Sequence, residues 1–314
     1  MHSQRFQFLH STLFRGVLPA LLLGTLMAAT AWAQSDDFND GNDDGWTQYD
    51  PISQAAPGVG SWTFPNMNSY RISSTPSPLP GVVGPGRVGS LRTDVTYTDF
   101  FLSVDILEWD PAADQAIGFI ARVTNVGLGS TDGYAMTYDT GGGDFDLVSF
   151  TNEVPAQQVT LVGEDSVNMQ PGQSYRYVFQ GKGINFTIKV YRLPDTDTPI
   201  AEASGADATF TGGFCGLLAF DLSAQGNGIT GVTFDNYFAA EVEPPTLSVD
   251  LSDFGDLTLF WPTTAVGFIL QATPSLDTPA WEDIPPPYQA IGQFFAHPED
   301  RLAQPARTYR LIRP

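Results

Sequence analysis

The chain has little cysteine, little histidine, little basic charge and almost no helical periodicity, and each shortage closes a class of function. A single cysteine, Cys215, among 314 residues leaves no intramolecular disulfide. It sits in the apolar run Gly-Gly-Phe-Cys-Gly-Leu-Leu, the setting of a buried inert thiol rather than a nucleophile. Beyond residue 33 the only histidine is His297, in the loop-like Ala296-His297-Pro298-Glu299. Zinc sites of His and Cys clusters therefore lack ligands, and a nucleophile–His–acid triad lacks a histidine in any recognisable motif. Lys and Arg number 14 against 35 Asp and Glu, a net charge of −21. Phosphate backbones and anionic lipid repel such a chain, which argues against nucleic acid as a partner. No glycine-rich loop follows a strand and opens a helix, so nucleotide binding has no support.

What is present begins with an export signal over residues 1–33. Arg5 and Arg15 supply a positive leading region, Val17 to Ala31 an apolar core, and Ala31-Trp32-Ala33 a small-x-small cleavage site. The segment is too short and wrongly flanked for a membrane anchor, and no later stretch is apolar enough to span a bilayer. The expectation is a mature chain starting near Gln34, secreted or held at the cell surface. Removing the signal takes away two arginines and no acid, which brings the net charge to −23.

Directly behind the signal, five carboxylates and two asparagines crowd into the eleven residues Asp36–Trp46. Such a run either repels itself into a solvated turn or folds around a cation. Asp40, Asn42 and Asp44, followed by Gly45, match the first half of a calcium loop. Alternate residues can turn oxygens inward, and oxygen donors without His or Cys suit calcium better than zinc or copper. The second half of an EF-hand is missing: Pro51 stands where a bidentate Glu belongs. Further ligands would have to come from elsewhere in the chain.

Alternation of period two dominates the remainder. Phe100, Leu102, Val104 and Ile106 share one strand face, and Phe186, Ile188 and Val190 another. Tyr175–Phe179 should fold back on Phe186 through Gly181-Lys182-Gly183 as a hairpin. Further strands are expected at 117–123, 134–138, 145–150, 158–162, 215–221 and 232–238, with turns at Asp132-Gly133, Gly141-Gly142-Gly143, Pro171-Gly172 and Gly226-Asn227-Gly228. Residues 51–88, rich in Pro, Ser and Gly, read as a long loop with one or two strands. A stiff acidic linker follows at 241–245. Beyond it, about 70 residues, 246–314, carry five or six strands at 246–251, 257–261, 268–272, 288–295 and 308–312. The fold class expected is all-β: an antiparallel jelly-roll sandwich over residues 35–240, then a smaller fibronectin-like sandwich.

The larger part resembles the laminin-G/concanavalin-A-like jelly-roll group of secreted bacterial proteins. Asp37-Phe38-Asn39-Asp40-Gly41 with Gly45-Trp46, and Val232-Thr233-Phe234-Asp235-Asn236 in the last strand, carry the resemblance. Phe101-Leu102-Ser103-Val104-Asp105, Gly133-Tyr134 and Gly216-Leu217-Leu218-Ala219 fall between them in the group's order. The resemblance implies that first and last strands lie side by side, with calcium shared between N-terminal acids and an acid of the last strand. Asp235 would then approach Asp37 or Asp40; otherwise it caps a strand-end turn. The C-terminal Leu257-Thr258-Leu259-Phe260-Trp261-Pro262, Gly267–Gln271, Trp281 and Tyr309-Arg310-Leu311 resemble a tail module behind many exported bacterial domains, which implies attachment or sorting.

Jelly-roll glucanases place Glu-x-Asp-x-x-Glu on one strand, and that triplet is missing here. Asp105 and Glu108 are three apart, so a regular strand would turn them to opposite faces. No catalytic residue is therefore assigned. Trp109, Trp62, Tyr134 and Tyr138 are candidates for stacking against sugar rings, the alternative for each being core or edge packing. The function expected is a calcium-stabilised module that binds an extracellular glycan or cell-surface polymer. A structural or adhesive surface protein and a jelly-roll glycoside hydrolase are the alternatives. An exposed aromatic platform would favour the first, a featureless surface the second, and two facing carboxylates in a groove the third.

Overall fold

The computed structural model describes residues 33–163, 167–241, 243, 245–251, 257–263, 265, 268–276, 279–299 and 307–312. Residues 1–32 of the expected signal, and Val242 and Pro244 of the expected linker, lie outside the described residues. The fold is an antiparallel jelly-roll β-sandwich. Its strands are β1 (Gln34–Asp36), β2 (Thr47–Tyr49), β3 (Gly60–Thr63), β4 (Tyr70–Ser74), β5 (Arg87–Tyr97), β6 (Phe100–Trp109), β7 (Gln115–Thr124) and β8 (Asp132–Asp139). They continue with β9 (Phe145–Thr151), β10 (Val154–Val159), β11 (Tyr175–Lys182), β12 (Asn185–Arg192), β13 (Ala201–Ala206), β14 (Gly213–Asp221) and β15 (Thr230–Ala240).

The first sheet runs β13-β12-β11-β6-β15-β4-β3, with β1 also on β15; the second runs β10-β9-β8-β7-β14-β5-β2. The alternating apolar residues of both sheets meet between them. Leu102, Val104 and Ile106 of β6 and Tyr177 and Phe179 of β11 face Ile117 and Phe119 of β7 and Leu217 of β14 across one core. Cys215 is fully buried in that layer, and burial pushes its thiol up to about 12. A thiol so placed stays protonated and inert. The first and last strands lie side by side, with Ser35 opposite Phe238 and Asp36 opposite Tyr237.

The stretch 51–88, expected as a long loop with one or two strands, holds two, which pair as the β3–β4 hairpin and extend the first sheet from β15. Two differences from the sequence expectations have physical causes. Strand β5 was not expected; Gly89, Ser90, Thr93 and Asp94 dilute its alternation, yet it runs inside the second sheet between β14 and β2. The edge strand β13, Ala-Glu-Ala-Ser-Gly-Ala, carries no large apolar residue to announce it.

Beyond residue 246 come β16 (Ser248–Leu251), β17 (Leu257–Pro262), β18 (Ile269–Thr273), β19 (Glu282–Ile284), β20 (Gln289–Ile291), β21 (Phe294–Glu299) and β22 (Thr308–Ile312). They form a four-stranded sheet, β16-β17-β21-β20, and a three-stranded sheet, β19-β18-β22. The expected single strand over 288–295 is two strands, split by a turn at Gly292 with φ of 61°. Leu259 and Trp261 of one sheet pack with Leu270 of the other, partly covered by Ile284, Tyr288 and Leu311. This apolar cluster draws on residues 247–311 alone. A chain ending at Ala240 should accordingly fold and melt in one cooperative transition. Aggregation of that shortened chain, against a soluble full-length protein, would show that the two parts share their stability.

Candidate functional site

The outer face of the second sheet carries the candidate site. Strands that cover only one core should show polar residues outward, but several here are apolar on both faces. One cross-strand row reads Thr47, Leu91, Gly216, Ile120, Ala135, Val148 and Gln158; the next reads Tyr49, Gly89, Leu218, Gly118, Thr137 and Asp146. Ile120 points away from the main core yet is only 1% exposed, and Leu218 7%. Neighbouring side chains rise around them and leave a groove of about 160 Å³. Its lining comes from every strand of that sheet, from Tyr49 on β2 to Pro155 on β10.

Gly118 and Gly216 stand in mid-strand in these two rows. A Cβ on Gly118 would sit 2.3 Å from the Met136 carbonyl oxygen, and one on Gly216 2.0 Å from that of Ser90. Neighbouring strands approach too closely for any other residue. The half-exposed rings of Phe150 and Phe220 stand at the groove wall.

One end of the groove is closed by a buried ion pair. Asn152 and Glu153, at φ of 54° and 62°, form the two-residue turn between β9 and β10. Asn tolerates that conformation; Glu does so at a cost, and here its side chain is held. Glu153 Oε1 accepts from Arg87 Nε at 2.9 Å and from the Tyr49 hydroxyl at 2.8 Å. Its Oε2 accepts from Arg87 Nη2 at 2.7 Å and from the Gly129 amide at 2.5 Å. Burial alone would raise the Glu153 carboxyl, but the Arg87 hydrogen bonds and these other donors hold it below its ordinary value. Arg87 spends Nη1 on the Val83 and Pro85 carbonyls.

At the other end stands half-buried Asp146, which accepts from Gln158 Nε2. Burial pushes its carboxyl upward against that hydrogen bond, and Asp139 and Asp144 add negative potential. A raised and a lowered carboxylate in one groove is the pattern of an acid–base pair. Glu153 cannot complete it, because four donors saturate its oxygens.

Three of the four aromatic residues expected to stack on a ligand belong to the core instead. Tyr134 and Tyr138 share the inward face of β8 with Met136 and are at most 2% exposed. Only their hydroxyls reach the rim: Tyr134 donates to Asp207 and accepts from the Phe210 amide, and Tyr138 accepts from the Met169 amide. Trp109 packs on Tyr138 and Tyr175 at 5% exposure. A bulge explains it: Phe234 opposes Ile106 but Thr233 opposes Glu108, so Leu107 is the extra residue and the parity of β6 flips. The same bulge turns Glu108 to the outer face that Asp105 occupies, where a regular strand would have separated them. They form no catalytic pair, since Asp105 binds Arg176 and Glu108 faces Arg71 at 3.5 Å. Trp62 does line a groove, with Gln48, Asp50 and Gln54, and that groove shares Tyr49 with the first.

The acidic run folds back on itself and onto aromatic rings. Asp40 Oδ1 accepts from the Asn42 amide at 3.2 Å and Asn42 Oδ1 from the Asp44 amide at 2.8 Å. Asp36 accepts from Trp46 Nε1, and Asp43 from the Tyr70 hydroxyl. Phe38 stacks on Tyr70 at 4.8 Å and Trp46 meets Tyr237 edge-on at 4.7 Å. Asp235 is pushed above its ordinary range by burial, then by the charges of Asp105 and Asp37. Asp37 and Asp235 thus act on each other across the β1–β15 pair. Among the described residues no three Asp, Glu, His or Cys side chains gather as metal ligands would, so the expected set Asp37, Asp40, Asn42, Asp44 and Asp235 would have to rearrange to close on an ion.

Among solved structures, a carbohydrate-binding module from Bacillus subtilis aligns at 18% identity over 62% of this chain and 95% of that one, with a TM-score of 0.43. Lectin II from Ulex europaeus aligns at 10% identity over 66% and 97%, TM-score 0.41. An endo-β-galactosidase from Clostridium perfringens aligns at 12% identity over 74% and 71%, TM-score 0.44. These likenesses concern the fold. No protein-family model matches the chain, and no curated protein matches it.

The ion pair that closes the groove sets an acid limit. Glu153 is held below its ordinary 4.5, so its stabilisation is present above that value and is lost as pH falls through the folded value. Replacement Glu153→Gln strands Arg87 in a buried site and should cost about 3–5 kcal/mol at neutral pH. It should also flatten the fall in melting temperature below about pH 4.5. Equal acid sensitivity of both proteins would show that other carboxylates govern it.

Proposed function

We propose that the sandwich is an exported carbohydrate-binding module whose groove on the second sheet holds a segment of an extracellular glycan or cell-surface polymer without cleaving it. One observation carries this: an apolar groove with Phe150 and Phe220 beside it and Asp146, Gln158 and Thr137 at one end. A pyranose has an apolar face to lay on aromatic and aliphatic surface and hydroxyls to donate to a carboxylate. The neighbouring groove of Trp62 offers a further ring through the shared Tyr49. A shallow groove buries little surface, and sugar hydroxyls give up good water hydrogen bonds on entry, so micromolar-to-millimolar affinity is expected.

Calorimetric titration against a broad glycan panel tests the proposal. A hit should weaken at least tenfold in Phe220→Ala and in Asp146→Asn, with melting little changed. Release of reducing sugar, abolished by Asp146→Asn, would make the protein a hydrolase. Absence of any hit would favour a structural or adhesive role.

Calcium belongs to the same proposal as a stabilising ion at the β1–β15 edge. The support is the oxygen-rich run and the repulsion between Asp37 and Asp235, which a divalent cation would relieve. At 100-fold excess over Kd, binding adds about 2.7 kcal/mol, or roughly 5–10 °C for a domain of this size. Melting in calcium and in chelator should differ by that much, and Asp44→Ala and Asp235→Asn should narrow the gap. Superimposable curves would remove the ion.

A further inference from the structure

The opposite face of the sandwich carries a second groove of different chemistry. It has a volume of about 220 Å³ and crosses β6, β11 and β12 on the outer side of the first sheet. The register sets its groups in three rows. Phe101, Gln180 and Thr187 form one, Ser103, Val178 and Lys189 the next, and Asp105, Arg176 and Tyr191 the third. Ser103, Gln180, Thr187 and Tyr191 make no side-chain hydrogen bond to another described residue and are free to serve a ligand. Phe101 meets Phe238 edge-on at 6.2 Å and supplies apolar surface at one end.

Two cations share this groove in a chain with few. Elsewhere in the sandwich four arginines are engaged, Arg87 with Glu153, Arg71 with Glu108, Arg92 with Asp94, and Arg122 with three backbone carbonyls, while Arg192 lies exposed at the end of β12. Arg176 is placed differently. Asp105, only 4% exposed in its side chain, accepts from Arg176 Nε at 2.6 Å and from Nη2 at 2.8 Å. Asn236 donates to the same carboxylate at 2.9 Å. Asp105 is a positioning residue: it fixes the guanidinium against the sheet while the side chain stays one-third exposed. Lys189 meets Glu202 at 3.5 Å with the two side chains 38% and 54% exposed, a pair a ligand can displace. The chain sets an anion of its own here, because Glu243 of the acidic segment after β15 lines the groove.

We propose that this groove is a second binding site, selective for carboxylated sugars such as uronic-acid polymers, in which Arg176 and Lys189 receive the carboxylate and Glu243 competes with it. Every polar group of the groove floor from Ser103 to Tyr191 can donate, which matches a ligand rich in hydroxyl and carboxylate oxygens. The net charge of −21 opposes approach, but at physiological ionic strength that field is screened beyond about 8 Å, which leaves recognition to the groove's own groups. Two sites on opposite faces would let one molecule bridge two polymer strands.

The test compares polygalacturonate with its methyl ester, the same backbone without the charge, in calorimetric titrations of the full chain. The acid should bind and the ester should bind at least tenfold more weakly. Lys189→Ala should weaken the acid at least fivefold, and Glu243→Gln should tighten it two- to fivefold. Phe220→Ala, which strips the groove of the other sheet, should leave polygalacturonate binding unchanged, so the two sites fail or stand separately. Lys189 and Glu243 are surface residues, and the melting temperature of each variant verifies its fold. Equal binding of acid and ester, indifference to both substitutions, or loss of binding in Phe220→Ala would each overturn the second site.

Discussion

A single apolar layer between two sheets holds the sandwich together, and every other feature hangs from it. No intramolecular disulfide assists, and among the described residues no helical layer does. The layer is unusually aromatic: Phe100, Phe119, Tyr134, Tyr175, Tyr177, Phe179 and Phe186 pack within it. The hydroxyls of Tyr134, Tyr138 and Tyr175 take backbone amides of Phe210, Met169 and Gln170. Core packing thereby also fixes the loops between strands, through groups that would be costly to bury unpaired. The N-terminal acidic run is anchored in the same manner, with Asp36 and Asp43 taking the polar ends of Trp46 and Tyr70.

With the inner faces committed, function falls to the outer ones, and the two differ in what their strands left outward. The second sheet left aliphatic side chains outward, so it carries an apolar groove. The first left Ser103, Arg176, Gln180 and Lys189, so it presents donors. The difference is written in the odd and even positions of the same strands.

That writing was partly legible. Period-two alternation located the strands of β6, β8, β11 and β12, and the turns between them, because each strand faces a core on one side. The resemblance also anticipated the neighbouring first and last strands. The groove escaped because 117–121 and 215–220 are apolar at every position, and such a run is as readable as a strand buried on both faces. Gly118 and Gly216 inside those runs signalled only the close approach of neighbouring backbone. Trp109 escaped for another reason. Its orientation hangs on one extra residue, Leu107, and nothing in Ile-Leu-Glu-Trp announces a bulge. Glu153 was invisible as a site residue because its partner Arg87 lies 66 positions away, in a segment that resembled a loop.

The two Arg–carboxylate pairs show how one interaction can close a site or arm it. In Arg87–Glu153 both members are less than 10% exposed, and every oxygen of the acid and three nitrogens of the base have protein partners. Such a pair has nothing left to offer and serves to set the shape of the groove end. In Arg176–Asp105 the burial is lopsided, 34% against 4%. The acid is saturated and hidden while the base remains one-third in solvent, its guanidinium oriented before anything arrives. An arginine already fixed by a buried acid loses little rotamer freedom on meeting a second anion, and that saved entropy is what a weak-binding surface most needs. Burial asymmetry, rather than the presence of an ion pair, separates the structural pair from the one disposed for recognition.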